Sequence, residues 1–327
     1  MPAFDSSTVT FDLPDRGRLA GVRLYQEVGL RTLDFEPVAG GWRLVTARPP
    51  VSRMEYLFEL LHRDGNRETV LDPGNARRVA GVFGDKSVLE FEDYAPPGWL
   101  AEPPREGHRS GTAGRPEVSW WSPEAGDEPM PLLLVHDGPE YDALASLTHY
   151  VSAGIAAGRL PRLRVALLHP GERNGSYSVN DDYADALAAL ARETPATVRI
   201  GMGTSLGALA MLHAHRRHPD LADALFLQSG SFFTDAFDRH ERRFPGYARI
   251  TAFVEEVGRG DPVRPVPVAL TCGGAEENLR NNRSMAEILD AQGYKVTFRE
   301  TRDVHNYTAW RDAFHPSLTR LLQEVCA

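Results

Sequence analysis

"IGMGTSLGALAML", residues 200–212, contains Gly203-Thr204-Ser205-Leu206-Gly207, a match to G-x-S-x-G with a glycine two positions to either side of a serine. The preceding "TVRIGMG" (197–203) reads as a strand and the following "LGALAMLHAHRRH" (206–218) as a helix. Such a serine becomes a nucleophile only in that strand, turn, helix context, where the turn is strained and lifts the hydroxyl clear of the sheet. Gly203 and Gly207 give the flanking chains room to pack closely. The Leu206 N–H, at the helix start, points toward the place where an oxyanion would form.

The surrounding pattern fits that reading. From about residue 117 onward, apolar strands alternate with helical segments, the pattern of a mainly parallel sheet with crossover helices. "PLLLVHDG" (131–138) and "RLRVALLHPG" (162–171) are uninterrupted apolar runs, as expected of central strands buried on both faces. Helices are predicted over 142–157, 181–193, 206–217, 280–292 and 307–324. In sheets of this kind, ligand chemistry gathers beyond the strand C-termini.

Residues 1–95 read differently. In "RMEYLFEL" (53–60), Met54, Tyr56, Phe58 and Leu60 alternate with Glu55, Leu57 and Glu59, and in "VLEFED" (88–93) Leu89 and Phe91 alternate with Glu90 and Glu92. Turn signals at 39–41, 63–66 and 72–75 separate such runs, and the whole suggests a small antiparallel sandwich. Residues 96–116, rich in Pro and Gly, read as a linker to a catalytic domain over 117–327.

A nucleophilic serine needs a base, and the base an orienting carboxylate; in this fold the chain order is serine, acid, histidine. His305, in "FRETRDVHNYTAW" (298–310) between a late strand and the last helix, stands where the base should be. His213, His215 and His218 lie on the helix leaving Ser205 and read as a solvated face. The acid is expected from "PVALTCGGAEENLRNN" (267–282): Glu276 is preferred, with Glu277 and Asp303 as alternatives. A second oxyanion donor should come from "LLLVHDGPEYD" (132–142). Pro139 has no N–H, so Gly138 or Glu140 would have to serve. Arg173 could hold an anionic substrate or pair with Asp181 or Asp182. The long stretch from Phe232 to Pro262 reads as a lid or pocket wall, or as a buried structural helix.

Composition bounds the rest. The chain has 327 residues, 42% of them apolar, enough for a full core. A net charge of −9 argues against nucleic-acid or anionic-membrane partners. Two cysteines are too few for a disulfide framework, no run of about 18 apolar residues occurs, and the N-terminus lacks a signal-peptide pattern. A soluble cytosolic protein without a metal site is the expectation.

Six stretches in order, "HDGPEYD", "ERNGSYSVNDDYADAL", "GTSLGALAML", "LFLQSGSF", "GGAEENLRNNR" and "HNYTAWRDAFHPSL", together resemble the enterochelin esterase branch of the esterase D and carbohydrate esterase group of α/β hydrolases. The likeness covers roughly 117–325, and "YLFEL" with "VLDPGN" resembles that branch's N-terminal early-set, immunoglobulin-like domain. It implies an α/β hydrolase that cleaves ester bonds in a bulky small molecule, typically an iron-loaded catechol siderophore such as a cyclic trilactone. No cofactor is implied, since any iron belongs to the substrate. By position, Ser205 becomes the nucleophile, His305 the general base and Glu276 the acid of the G-x-x-E-x-x-L stretch, while Arg173 lies near the substrate. The sequence departs from the family at Ser176, where an acid is usual, at Pro139, where a bulky residue is common, and around His305, where Tyr307 and Trp310 offer aromatic surface for substrate. A general carboxylesterase, a carbohydrate deacylase, an acyltransferase and a binding protein that has lost catalysis remain the rival readings.

Overall fold

A computed structural model describes residues 1–260 and 263–327, in two compact units. One comprises Met1–Ala95 with two short segments from far along the chain, Gly273–Glu276 and Arg302–His305; the other comprises Pro96–Cys272, Glu277–Thr301 and Asn306–Ala327.

The first unit is built from β1 (Ala3–Phe4), β2 (Thr8–Pro14), β3 (Leu19–Gln26), β4 (Glu36–Val38), β5 (Gly41–Ala47), β6 (Arg53–His62), β7 (Arg67–Val70), β8 (Arg78–Val79) and β9 (Lys86–Glu90). They form two antiparallel sheets, ordered β1-β2-β5-β4 and β3-β6-β9-β8, with β7 on β6. Val9, Phe11 and Leu44 of the first sheet share one core with Leu24, Met54, Tyr56, Phe58 and Leu89 of the second. The alternation expected along β6 therefore holds for Met54, Tyr56 and Phe58. It fails on the opposite face, where Arg53 and Glu55 are buried as well and bonded to each other at 2.8 Å. Val304 and Ala275, from the two late segments, pack with this core.

The second unit carries β10 (His108–Thr112), β11 (Val118–Ser122), β12 (Met130–Val135), β13 (Arg164–Leu168), β14 (Ala196–Thr204), β15 (Ala224–Gln228), β16 (Pro267–Gly273) and β17 (Lys295–Thr301) in one sheet, ordered β10-β11-β13-β12-β14-β15-β16-β17. From β13 to β16 the pairs are parallel. Along β12, Leu132 and Leu134 enter one core cluster and Leu133 and Val135 another, and β13 divides in the same way. Burial on both faces is why these strands are apolar without a break.

The helices are α1 (Gly138–Ala145), α2 (Leu147–Ala156), α3 (Arg173–Tyr177), α4 (Asp181–Glu193), α5 (Leu206–Arg217), α6 (Tyr247–Arg259), α7 (Leu279–Ala291), α8 (Tyr307–Asp312) and α9 (Thr319–Val325). The helix expected over 142–157 breaks at Ser146, which has φ 54°. The one expected over 307–324 bends at His315, which is extended because the ring of Pro316 excludes helical geometry before it. The 96–116 stretch is less irregular than a linker: Gly98–Ala101 forms a helical turn and β10 pairs with β11 as an edge strand. The 232–262 stretch contains α6, whose Ile250, Phe253 and Val257 are buried, so that part is a structural helix; residues 261 and 262 lie outside those described.

Among the described residues no helix is long and apolar enough to cross a membrane. The histidines of α5 correct the expectation of a solvated face. This helix is packed nearly all round: His213 lies edge-on to Phe253 and bonds Asp181 at 3.2 Å, and His215 is buried against Tyr294.

Candidate active site

Ser205 stands between β14 and α5 with φ 54° and ψ −124°, a conformation an L-residue adopts only when its surroundings force it. Several bonds do so. The Ser205 N–H donates to the Gln228 carbonyl at 3.0 Å, and the Ser205 carbonyl accepts from the Ser231 N–H at 3.1 Å. Gln228 is itself fixed in the interior, accepting from the Tyr141 hydroxyl and donating to Thr271 and to the Trp310 carbonyl.

The flanking glycines are required by contact. A Cβ on Gly203 would stand 2.4 Å from the Gly207 backbone, and one on Gly207 would stand 2.9 Å from His136 Cβ. The Ser205 hydroxyl lies 3.2 Å from that of Ser231, a neighbour with no signal in the G-x-S-x-G match. Leu206 opens the twelve-residue α5, so its N–H is among those a helix leaves without an internal acceptor.

At the end of β12, Asp137 takes a left-handed conformation (φ 51°, ψ 37°) and α1 begins at Gly138. Pro139 falls in the first turn of that helix, where an N–H would have no internal partner, so the missing donor costs the fold nothing. A side chain on Gly138 would strike the Leu167 backbone at 2.3 Å.

The nearly buried Asp137 carboxylate does not cap α1. It accepts two bonds from Arg173, at 2.7 Å from Nε and 2.8 Å from Nη2. Asp137, not Asp181 or Asp182 as expected from sequence, is thus the internal partner of Arg173, and Asp181 bonds His213 and Arg217. Burial works against the Arg173 charge, but the hydrogen bonds and charge of Asp137 outweigh it and raise the guanidinium's pKa. An acid at the C-terminal end of a central strand was the signal available for Asp137. Next to it, His136 is fully buried edge-on to Tyr177, and burial drops its pKa to about 3, so it is neutral.

Trp310 departs from the expected role. Its ring is buried, lies edge-on to Tyr307 at 4.8 Å, and donates its N–H to Ser229 at 3.0 Å. It is a core residue and offers no aromatic surface. Tyr307 is only partly covered; burial raises its phenol's pKa, Asp137 adds to the rise and Arg173 opposes it.

Glu276, Asp303 and His305 lie in the first unit, and Glu277 in the second. His305 Nδ1 is 2.6 Å from Glu276 Oε2, and Glu276 Oε1 accepts from the Gly273 N–H at 2.5 Å. The carboxylate is buried while the imidazole is about 29% exposed. A proton on Nδ1 bonded to Glu276 places the ring's basic lone pair on Nε2. Adjacent residues part company here: Glu277 is exposed and bonds His240 at 3.2 Å. Asp303 is buried and accepts from the Val304 N–H at 2.8 Å.

No protein-family model matches the chain, and no curated protein matches it in sequence. Solved structures do match. The chain is similar to the ferric enterobactin esterase of Salmonella typhimurium, with a TM-score of 0.78 and 19% identity over 98% of this chain and 94% of that one. It is similar to the enterobactin esterase of Shigella flexneri solved in the presence of enterobactin, with a TM-score of 0.74 and 18% identity over 99% and 95%. A ferulic acid esterase matches at a TM-score of 0.52 and 15% identity, over 67% of this chain and 98% of its own. With a mostly parallel sheet, crossover helices and a serine on the turn between β14 and α5, the chain has the α/β-hydrolase fold, in the form seen in the enterobactin esterases.

Proposed function

We propose that this protein is a serine esterase in which Ser205 is the nucleophile, His305 the general base and Glu276 the acid that orients it. The observation that carries the reading is the Ser205 backbone at φ 54°, ψ −124°. Strain of this kind, held by bonds to the end of a neighbouring strand and to the residues just beyond it, persists where exposure of the side chain is useful. The 2.6 Å pairing of His305 with Glu276 supports the second half.

The reaction is acyl transfer to water. His305 Nε2 takes the Ser205 proton as the hydroxyl oxygen adds to the ester carbonyl, and the carbonyl oxygen becomes an oxyanion. The N–H groups of Leu206 and Gly138 stabilise it; one such donor contributes about 3 to 4 kcal/mol. Collapse breaks the bond to the alcohol, which leaves with the proton from His305. Water then adds to the acyl-enzyme, giving its proton to Nε2, and the carboxylic acid is released as Ser205 regains its hydrogen.

For the substrate we favour an iron-loaded catecholate trilactone met in the cytosol. Support comes from likeness over nearly the whole chain to esterases solved with enterobactin, and from Arg173, whose pairing with Asp137 uses Nε and Nη2 and keeps the fork rigid while Nη1 can meet a catecholate. Tyr307, beside that pair, supplies a ring edge. The first unit is read as the early-set, immunoglobulin-like domain of that branch.

The test is hydrolysis of ferric and iron-free trilactone beside p-nitrophenyl and feruloyl esters. Cleavage of the trilactones supports the full reading. Cleavage of the simple esters alone removes the siderophore and leaves a general carboxylesterase, and no cleavage with any ester favours a binding protein.

A further inference from the structure

The segment Arg302–His305 is only four residues long, yet four separate interactions tie it into the first unit. The Arg302 carbonyl accepts from the Ser52 N–H at 2.8 Å. The Arg302 side chain bonds Asp93 at 2.7 Å, and Asp93 is itself held by Arg48 at 2.9 Å and by Ser52 at 3.0 Å. Val304 is buried in the core of the two sheets. The fourth tie is Asp303: it follows Arg302 as Arg53 follows Ser52, so the bond between Ser52 and Arg302 brings the chain at these two buried, oppositely charged residues together, and Asp303 favours the Arg53 charge.

Arg53 opens β6 and is 2% exposed, a placement that a strand of alternating polarity would not give it. Its Nη1 donates to the buried Glu55 at 2.8 Å, and Glu55 lies 3.8 Å from Lys86, which bonds Glu27 at 2.9 Å. Burial opposes the charge on Arg53, while Glu55 and then Asp303 restore it and raise its pKa. A buried cation with two buried acids is expensive to form and expensive to break, which makes it a poor source of stability and a good means of fixing one geometry. Asp303, one of those acids, stands two positions before His305.

We propose that Arg53 is a positioning residue for the catalytic base: its guanidinium, fixed by Glu55, holds Asp303 and so sets the backbone that carries His305. This rests on His305 being the base. The close approach of the two late segments extends the effect to the acid, since the Ala275 N–H reaches the Asp303 carbonyl at 3.4 Å and a Cβ on Gly273 would stand 2.5 Å from the same oxygen. Arg53 lies more than two hundred residues from either and touches no reacting atom.

The experiment compares full-length Arg53→Met, Arg53→Lys and Asp303→Asn with the native enzyme. It measures kcat and KM on p-nitrophenyl butyrate, the rate of labelling by a fluorophosphonate, and the thermal midpoint. Arg53→Met should lower kcat and the labelling rate together by about tenfold to a hundredfold, the size of effect that a displacement near 1 Å produces, with KM changed by less than about twofold. Arg53→Lys, which keeps the charge, should recover most of that loss. Asp303→Asn keeps the volume and the bond to the Val304 N–H, should show a loss of the same kind, and carries the test if Arg53→Met does not fold. A lower thermal midpoint with kcat per labelled site unchanged in Arg53→Met and Asp303→Asn would overturn the proposal and leave the esterase reading intact. A native enzyme that neither labels nor hydrolyses any ester would overturn both.

Discussion

Ser205 and His305 are held by opposite means. Ser205 sits on regular structure: a strand ends, a helix begins, and the bonds that fix it come from the adjacent strand and from residues just beyond it, Gln228 and Ser231. His305 sits in a four-residue segment between β17 and α8 whose Arg302 bonds Ser52 and Asp93, some 210 to 250 residues earlier in the chain. The strand-turn-helix is dictated locally, and a local change there should act on chemistry or on packing at once. The segment that carries His305 is tied by non-local bonds, so changes remote from it in sequence should reach it.

The sharpest break is Ser205→Ala. It should lower turnover by about a millionfold and abolish fluorophosphonate labelling, measured by steady-state kinetics and gel fluorescence. Glu276→Gln preserves shape but removes the charge that holds the His305 tautomer, and should lower kcat by about ten-thousandfold with little change in KM. Glu277→Gln, the adjacent exposed residue, should leave kcat within about twofold, since exposed pairs such as its own with His240 contribute little.

Smaller effects test the packing of the serine turn. Gly203→Ala places a methyl against the Gly207 backbone and should destabilise by about 1 to 3 kcal/mol in urea unfolding, because backbone cannot move aside as a side chain can. A pH-dependent effect concerns His136, which is buried and neutral with its pKa lowered from 6.5 to about 3. The unfolded chain then binds the extra proton between those values, so stability is complete above pH 6.5 and falls as pH drops toward 3. The slope reaches about 1.4 kcal/mol per pH unit. Thermal midpoints measured from pH 7 to 4 should decline less steeply in His136→Gln.

The same contrast explains what could be read from sequence. The helices over 181–193 and 206–217 have the boundaries their patterns imply, and the unbroken apolar runs at β12 and β13 announce a sheet covered on both faces. Where the pattern depends on what lies opposite, it misleads. His213 and His215 look solvated because their type is polar, but α5 is packed nearly all round and buries both, while His218, just past its end, stays partly exposed against Asp185. Arg53 and Glu55 look like the wet face of a strand, yet both are buried and bonded to each other at 2.8 Å, which no alternation of residue types announces. Between Glu276 and Glu277 the pattern gives a preference for the first but no contact that separates them. The turn after β16 bonds the first to Gly273 and His305 and leaves the second on the surface. Arg173 found its acid in Asp137 because a left-handed residue ends β12 and turns that carboxylate away from the helix it precedes. Trp310 was expected to offer surface because aromatic residues near a catalytic histidine often do; its N–H bond to Ser229 commits it to the core.

The most direct measurement of the central claim is peptide mapping by mass spectrometry after treatment with a fluorophosphonate, on the native protein and on His305→Gln. A single adduct on Ser205 is expected in the native protein, formed at least a thousandfold more slowly, on the order of the loss of a triad member, in the variant. An adduct on another residue, no adduct at all, or equal rates in the two proteins would contradict it.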